Sequence, residues 1–300
     1  MKRFPSKILL FGEYGLVAGG SGLALPYPRY GGLFTKKDGQ TAALMEESKR
    51  NLKRLLAFLQ FRSSDFSFLD LPRMESDFNE GWWFDSNIPG AYGLGSSGAL
   101  VAALYHRYVV EQATSLTTTR QQLASIESFF HGSSSGTDPL VSLLQTPVLL
   151  QSDGSIEALE AWNAETMKAK IFLVDTGDKS KTLSLVEWFK AQLQKPAFRA
   201  ATEKEMLDVN DRIIAAIQQG KAFDIDQLKS LSRYQNDYLY PMIPESFHQH
   251  FMAGFMSNEF FFKLCGSGGG GFMLCFAIDE QAAINYFETK GLTYQPLFSS

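Results

Sequence analysis

Four segments of the chain carry charged or conformationally free residues that the packing of a core does not require. Ser6-Lys7-Ile8-Leu9-Leu10-Phe11-Gly12-Glu13-Tyr14 is a strand-like apolar run bounded by a lysine and a glutamate. Residues 89–98 read Pro-Gly-Ala-Tyr-Gly-Leu-Gly-Ser-Ser-Gly. Such a loop can turn its backbone N–H groups toward one point, and a helix beginning there adds partial positive charge, which makes a cradle for phosphate. Glu127 is followed eleven positions later by Asp138, across the small-residue turn His131-Gly-Ser-Ser-Ser135-Gly136-Thr, and a proline follows the aspartate. Gly266-Ser267-Gly268-Gly-Gly-Gly271 holds five glycines in six positions. Each costs about 0.5–1 kcal/mol relative to alanine, which implies that something bulky must approach the backbone.

Each segment also has a plainer reading. Lys7 can be a charge at a strand edge, Asp138-Pro139 a turn or helix start, and each glycine loop a close-packed or flexible turn. Gly93-x-Gly95-x-x-Gly98 has dinucleotide spacing, but that site needs an acid about 20 positions on, after a second strand. Glu111 comes too early and on the same helix. The second loop matches the same spacing, yet Phe272 to Ile278 reads as a strand, not a helix start. Gly-Lys-Ser/Thr, the end of a Walker A loop, does not occur. Together the segments fit phosphoryl transfer from a magnesium nucleotide to a hydroxyl. That reaction needs an anion cradle, oxygen ligands for Mg²⁺, a cation and an orienting carboxylate. The loop at 89–98, Ser97 with Glu127, Lys7 and Asp138 supply one of each. A lysine beside Asp138 favours its ionised form, ready to accept a hydrogen bond though a weak base. Because the transition state is loose, position and charge matter more than base strength.

Several elements must hold these residues. Leucines at 44, 52, 55, 56 and 59 predict a helix over Ala42 to Leu59. Further helices are expected from Ser97 to about Gln112, about Thr118 to Phe130, 182–193 and 202–219. Lys168 to Asp175 reads as a buried strand, and Phe260–Lys263, glycine loop, Gly271–Ile278 as strand, loop, strand. The polar stretch at 152–167 is the weakest seam. It divides the chain near 165 into an N-terminal domain, 1–165, with the phosphate loop and charged residues, and a C-terminal domain, 166–300, with the second glycine loop.

Composition narrows the classes. Three hundred residues with 45% hydrophobic and 20% charged side chains fit a globular protein of about two domains. A net charge of −4 argues against a nucleic-acid partner. Two cysteines exclude a disulfide framework or Cys-rich zinc site. The run Ile8–Phe11 is too short for a secretion signal and no stretch is long enough to span a bilayer, so a soluble, unprocessed, cytoplasmic protein without membrane contact is expected.

Three motifs in order, Lys7-x-x-x-Phe-Gly-Glu13, Gly93-Leu-Gly-Ser-Ser97 and Lys263-x-x-Gly-Ser-Gly-Gly-Gly-Gly271, resemble the GHMP kinase superfamily. Within it, Glu127…His131-Gly-x-x-Ser135-Gly-x-Asp138 is similar to the active-site turn of the mevalonate kinases, and Leu173-Val-Asp-Thr-Gly177 to the strand opening their C-terminal domain. The resemblance implies an α+β fold of two domains, the first like ribosomal protein S5 domain 2 and the second ferredoxin-like. It implies ATP and Mg²⁺ and a small-molecule acceptor bearing a primary hydroxyl, with mevalonate converted to 5-phosphomevalonate, in a monomer or homodimer. Asp138 matches the catalytic carboxylate and Lys7 the lysine that orients it. Ser97 and Glu127 match Mg²⁺ ligands, and Pro89, Gly93, Leu94, Gly95, Ser96, Ser97 and Gly98 the nucleotide loop. Glu13, Tyr14, Ser135, Gly136, Gly266, Ser267 and Gly268 fall on the substrate side.

The sequence departs from that pattern in places. Tyr14 stands where mevalonate kinases often carry histidine and phosphomevalonate kinases tyrosine. Ser6 and Gly98 replace a glycine and an alanine, and Tyr92 lengthens the second motif by one residue. Phosphomevalonate or a sugar is the alternative acceptor, and a non-catalytic nucleotide-responsive regulator the alternative role. Outside the motifs, His248 and His250 read as surface residues at a polar helix end, and Cys265 and Cys275 as buried apolar residues, Cys265 with a location that could make it reactive. His131 reads as a hydrogen-bonding brace for its turn. Trp82-Trp83 read as strand residues, and Phe251–Phe255 as a strip for which an oligomer interface is the lesser alternative.

Overall fold

The computed structural model describes residues 1–37, 41–159, 169–178, 182–222 and 224–298. In the N-terminal part, β1 (Phe4–Phe11) runs antiparallel to the long β2 (Gly22–Thr35), with Ile8 opposite Leu25 and bulges at both ends of the pairing. The two ends of β2 take different partners. β3 (Trp83–Ser86) pairs with Gly32–Thr35 and β4 (Val148–Leu150) with Gly22–Ala24, while β5 (Ile156–Ala158) adds beside β4. β1 is therefore an edge strand, and its apolar side chains are covered by helices.

Those helices are α1 (Ala42–Phe61), α2 (Leu71–Asn79), α3 (Ser96–Tyr108), α4 (Leu116–His131) and α5 (Thr137–Leu144). α1 buries Leu52, Leu55, Leu56 and Leu59, the stripe its leucine spacing predicts. α3 is buried on nearly every side and packs on β1, β2 and α5. It stops at Tyr108, short of the expected Gln112, because Val109 turns extended and bridges to Leu69. Ser115 caps α4 by accepting the N–H of Thr118 at 3.1 Å.

The C-terminal part is a second antiparallel sheet, β6 (Lys170–Asp175), β7 (Phe260–Leu264), β8 (Phe272–Ala277) and β9 (Tyr294–Pro296), in the order β7-β8-β6-β9. Helices α6 (Thr182–Gln192), α7 (Pro196–Ala201), α8 (Asp208–Gln218), α9 (Ile225–Tyr238) and α10 (His248–Ser257) lie between β6 and β7, and α11 (Glu280–Thr289) between β8 and β9. With the helices grouped, the connectivity is β-α-β-β-α-β, the ferredoxin-like arrangement. The helix expected over 202–219 is divided, since Thr202–Leu207 forms a wider π turn before α8. The seam near 165 and Lys168 lie outside the described residues; β5 before them and β6 after them belong to different sheets.

One hydrophobic core joins the two sheets. Phe11 of β1 meets Phe276 of β8 at 5.7 Å, and Tyr14 meets Phe189 of α6 at 4.8 Å between ring centroids. Each ring so buried contributes about 1.5–3 kcal/mol. Polar links cross as well: Asn210 donates to the Ser21 carbonyl at 2.9 Å, and Tyr92 donates to Asp175 at 3.3 Å.

Candidate active site

Lys7 sits in the middle of β1, and its backbone N–H donates to the carbonyl of Leu94 at 2.9 Å. This bond ties the edge strand to the glycine loop that precedes α3. The ammonium lies 3.2 Å from Asp138 Oδ1. Asp138 stands in the first turn of α5, where the helix dipole favours a negative charge. Burial works against the charge of Lys7, but the attraction of Asp138 and their hydrogen bond outweigh it and hold its pKa above the ordinary lysine value. Lys7 is thus not an exposed edge charge; it is 8% accessible.

Beside this pair, Ser97 Oγ donates to Glu127 Oε1 at 3.0 Å and lies 3.0 Å from His131 Nε2. The other Glu127 oxygen accepts from Ser134, whose own oxygen accepts the Gly136 N–H at 2.9 Å. Burial first, and then the nearby charge of Asp138, push the Glu127 carboxyl up to about 7, against the hydrogen bonds from Ser134 and Ser97. Two carboxyl groups and a hydroxyl in one place form an all-oxygen donor set, the kind Mg²⁺ takes, and the mutual repulsion is what a cation would relieve.

Gly95 packs against the Lys7–Asp138 pair. A β-carbon there would be 3.0 Å from Lys7 Cγ and 3.1 Å from Asp138 Oδ2. One cavity of about 520 Å³ opens on the Asp138 side, walled by Lys7, Leu9, Glu13, Tyr14, Arg120, Ser135, Thr137, Val186, Gly266 and Ser267 among others. A second, of about 370 Å³, opens where α3 begins, walled by Ser96, Ser97, Ile88, Trp83, Asn51 and Phe130 among others.

The C-terminal sheet closes the first cavity. Lys263, fully buried in β7, forms an ion pair with the equally buried Glu13 and also donates to the Leu264 carbonyl at 3.0 Å. Tyr14, at φ +58°, donates its hydroxyl to the Ser267 carbonyl at 2.6 Å. Two glycines of this second loop, Gly268 and Gly271, have a different cause from the one the sequence suggests. What approaches the backbone is the chain itself: a β-carbon on Gly268 would lie 2.5 Å from the Met242 carbonyl, and one on Gly271 would lie 2.9 Å from Tyr92 Cα. Gly268 is accordingly buried and lines neither cavity, unlike Gly266 and Ser267. Gly98 and Leu94 are likewise buried; Gly98 lets α3 touch Asp138 and Pro139, and the Leu94 side chain joins the core. Pro89 is half-buried.

Residues 63–146 match the sequence profile of the GHMP kinases N terminal domain. Structures similar to the whole chain include the L. major mevalonate kinase in complex with R-mevalonate (TM-score 0.66, 15% identity, 96% of this chain and 91% of that one). The Methanococcus jannaschii mevalonate kinase (0.62, 16%, 98% and 96%) and the Streptococcus pneumoniae phosphomevalonate kinase in complex with phosphomevalonate and AMPPNP (0.61, 16%, 98% and 99%) match as fully. The chain has the GHMP kinase fold. No curated protein sequence matches it.

Within this GHMP kinase fold, several side chains have duties that residue type alone hides. Lys263 opens the third motif, and its place inside the apolar run Phe260–Leu264 was the available signal that it neutralises a buried acid. Arg120, Ser134 and Thr137 belong to the site but carry no pattern of their own. His131 hydrogen-bonds Ser97 rather than its own turn. His250 is buried, not superficial, with Nδ1 2.8 Å from the Tyr286 hydroxyl, and His248 stacks on Tyr240 at 3.5 Å. Burial pushes the Cys265 thiol up to about 12, so it stays protonated and unreactive. Phe251 is buried and packs on Phe262 at 5.8 Å, so the Phe251–Phe255 strip belongs largely to the packing of α10 on β7. Trp83 is a buried strand residue, whereas Trp82 precedes the strand and lies under the Arg107 guanidinium at 3.8 Å. No described helix is long and apolar enough to cross a membrane.

Proposed function

We propose that this chain is an ATP- and Mg²⁺-dependent small-molecule kinase that transfers the γ-phosphate to a primary hydroxyl, with mevalonate as acceptor and 5-phosphomevalonate as product. A single observation carries the reading: the Lys7–Asp138 ion pair and the Ser97–Glu127 hydrogen bond meet at the Gly93–Ser97 loop, with Lys7 and Asp138 lining one cavity and Ser97 the other. The acceptor occupies the cavity walled by Glu13, Tyr14, Ser135, Gly266 and Ser267, and the nucleotide the one beside Ser96 and Ser97; Gly136, expected on the substrate side, is buried against Arg120 and lines neither cavity. The amides of residues 93–97 and the start of α3 hold the phosphates. Asp138 orients the acceptor hydroxyl; as its oxygen bonds to the γ-phosphorus, the proton passes to the carboxylate and ADP leaves. The Lys7 ammonium holds the Asp138 carboxylate in place through their ion pair and offsets charge on the transferring group. Ser97 and Glu127 would hold Mg²⁺, which when bound neutralises the phosphate oxygens. A cytoplasmic monomer or homodimer suits this role.

A phosphorylated acceptor is the second reading, favoured by Tyr14 and by the equally full structural match to a phosphomevalonate kinase. ADP release from ATP and Mg²⁺ in the presence of R-mevalonate, phosphomevalonate or galactose separates these readings. Acceptor-dependent turnover is expected with mevalonate, and Asp138→Asn should lower kcat by about 10²–10⁴. Near-normal turnover in that variant removes Asp138 from the chemistry. Nucleotide binding without turnover on any acceptor leaves the regulator reading in place.

A further inference from the structure

The formal charges around the 520 Å³ cavity do not cancel. Lys7 answers Asp138, and Lys263 answers Glu13 from behind the cavity wall. The remaining charged residue of that wall is Arg120, which is half-buried and has no hydrogen bond or ion pair among the described residues. Its position is constrained. Arg120 and Glu127 are seven residues apart on α4, two turns, and so share a face of the helix. The Arg120 stem also packs against Gly136, the cap of α5. A β-carbon on Gly136, at φ +71°, would lie 2.2 Å from the Arg120 carbonyl and 3.0 Å from its Cγ. Asp138 follows two residues later, so the arginine is anchored next to the carboxylate assigned to the acceptor hydroxyl.

We propose that Arg120 is the specificity-determining residue of the acceptor site: it binds an anionic group of the acceptor, which is therefore an acid alcohol and not a neutral sugar. This rests on the kinase reading given above. The cavity also has apolar walls at Leu9, Leu16 and Val186, which weaken solvent screening and strengthen the attraction of a guanidinium for an anion. A carboxylate can accept two parallel hydrogen bonds from the guanidinium. A neutral polyol would take water from that charge and return no counter-charge, which disfavours its binding.

The test uses the full chain with Arg120→Ala and Arg120→Lys. Steady-state transfer from MgATP is measured to R-mevalonate, to its uncharged amide and to phosphomevalonate, and calorimetry measures binding of each. Arg120→Ala is expected to raise the KM and Kd for mevalonate by about 10- to 100-fold, the scale of a charge-assisted hydrogen-bond pair, with a much smaller change in kcat. The preference for the acid over its amide should shrink by the same factor. Arg120→Lys keeps the stem on Gly136 and the charge, and should recover part of the affinity; its recovery distinguishes recognition from a folding defect in the alanine variant. Losing affinity for phosphomevalonate but not for mevalonate would identify the bound anion as the phosphate. Equal losses for acid and amide, or a rise confined to the KM for ATP, would overturn the proposal. If the wild type transfers phosphate to no acceptor, the kinase reading fails on its own. Calorimetry then still decides: weakened mevalonate binding in Arg120→Ala upholds the anion site, and absence of binding to the wild type removes it.

Discussion

Glu127 is the side chain whose protonation responds most directly to its surroundings near neutral pH. Its carboxyl is raised to about 7 by burial and by Asp138, whereas an unfolded chain holds glutamate near about 4.3. The folded state therefore binds the proton more tightly. The stability from this group is complete below the unfolded value and is lost as pH rises through about 7. A difference measurement isolates it: the Tm of the wild type minus that of Glu127→Gln should fall between about pH 5 and pH 8. Adding Mg²⁺ should reverse the fall at the upper end, because a ligand that prefers the ionised carboxylate stabilises that form. A difference that stays flat with pH, or ignores the metal, contradicts both the raised pKa and the ligand role. Arg120 belongs to the same scale, since its test reads one charge against one anion.

At the scale of elements, the site depends on how closely α3 approaches the start of α5. In an open helix, Gly98→Ala would add about 1 kcal/mol through helix propensity. Here the new methyl would lie 2.8 Å from Asp138 backbone and side-chain carbons and 2.9 Å from the Pro139 nitrogen, none of which can swing aside. The expected outcome is a net loss of about 1–3 kcal/mol in urea unfolding, the usual cost of overpacking. Moving α5 also moves Asp138 away from Lys7, so turnover should fall by about 10- to 100-fold, since misplacement of about 1 Å has that effect. A more stable variant with unaltered turnover would show that the two helices are not held in register at this point. Helix boundaries were readable from sequence where a leucine stripe marks them, as in α1; the Ser115 cap sets the start of α4 at Leu116, ahead of the expected Thr118. The end of α3 was not, because the Leu69–Val109 bridge that stops it comes from a distant segment.

Across the whole molecule, the Glu13–Lys263 pair joins the first sheet to the second where the acceptor cavity closes. Both side chains are shut off from solvent, which raises the pKa of the acid and lowers that of the base despite their mutual attraction. Breaking one partner leaves the other charge buried alone, so Lys263→Met and Glu13→Gln should each cost about 3–5 kcal/mol. The double variant should recover more than half of the summed loss, because each deletion removes the charge that the other had stranded. Simple additivity in urea unfolding would mean that the two groups are not coupled.

The amino-acid sequence alone determined which chemical groups are available: two glycine loops, a lysine, two acids eleven residues apart, and the order that suggests their shared reaction. It also determined helices α1, α3, α4, α6 and α8 and strands β1, β6, β7 and β8, because periodicity acts over a few residues. Only the tertiary structure decided which charges answer one another. Lys263 and Glu13 are 250 residues apart, so no local pattern pairs them. Nor does any pattern reveal that Gly268 and Gly271 make room for Met242 and Tyr92, or that Arg120 stands without a counter-charge among the described residues. Such relations depend on distances between segments that meet only when the chain has folded, since charge interactions and close packing act across space and not along the backbone.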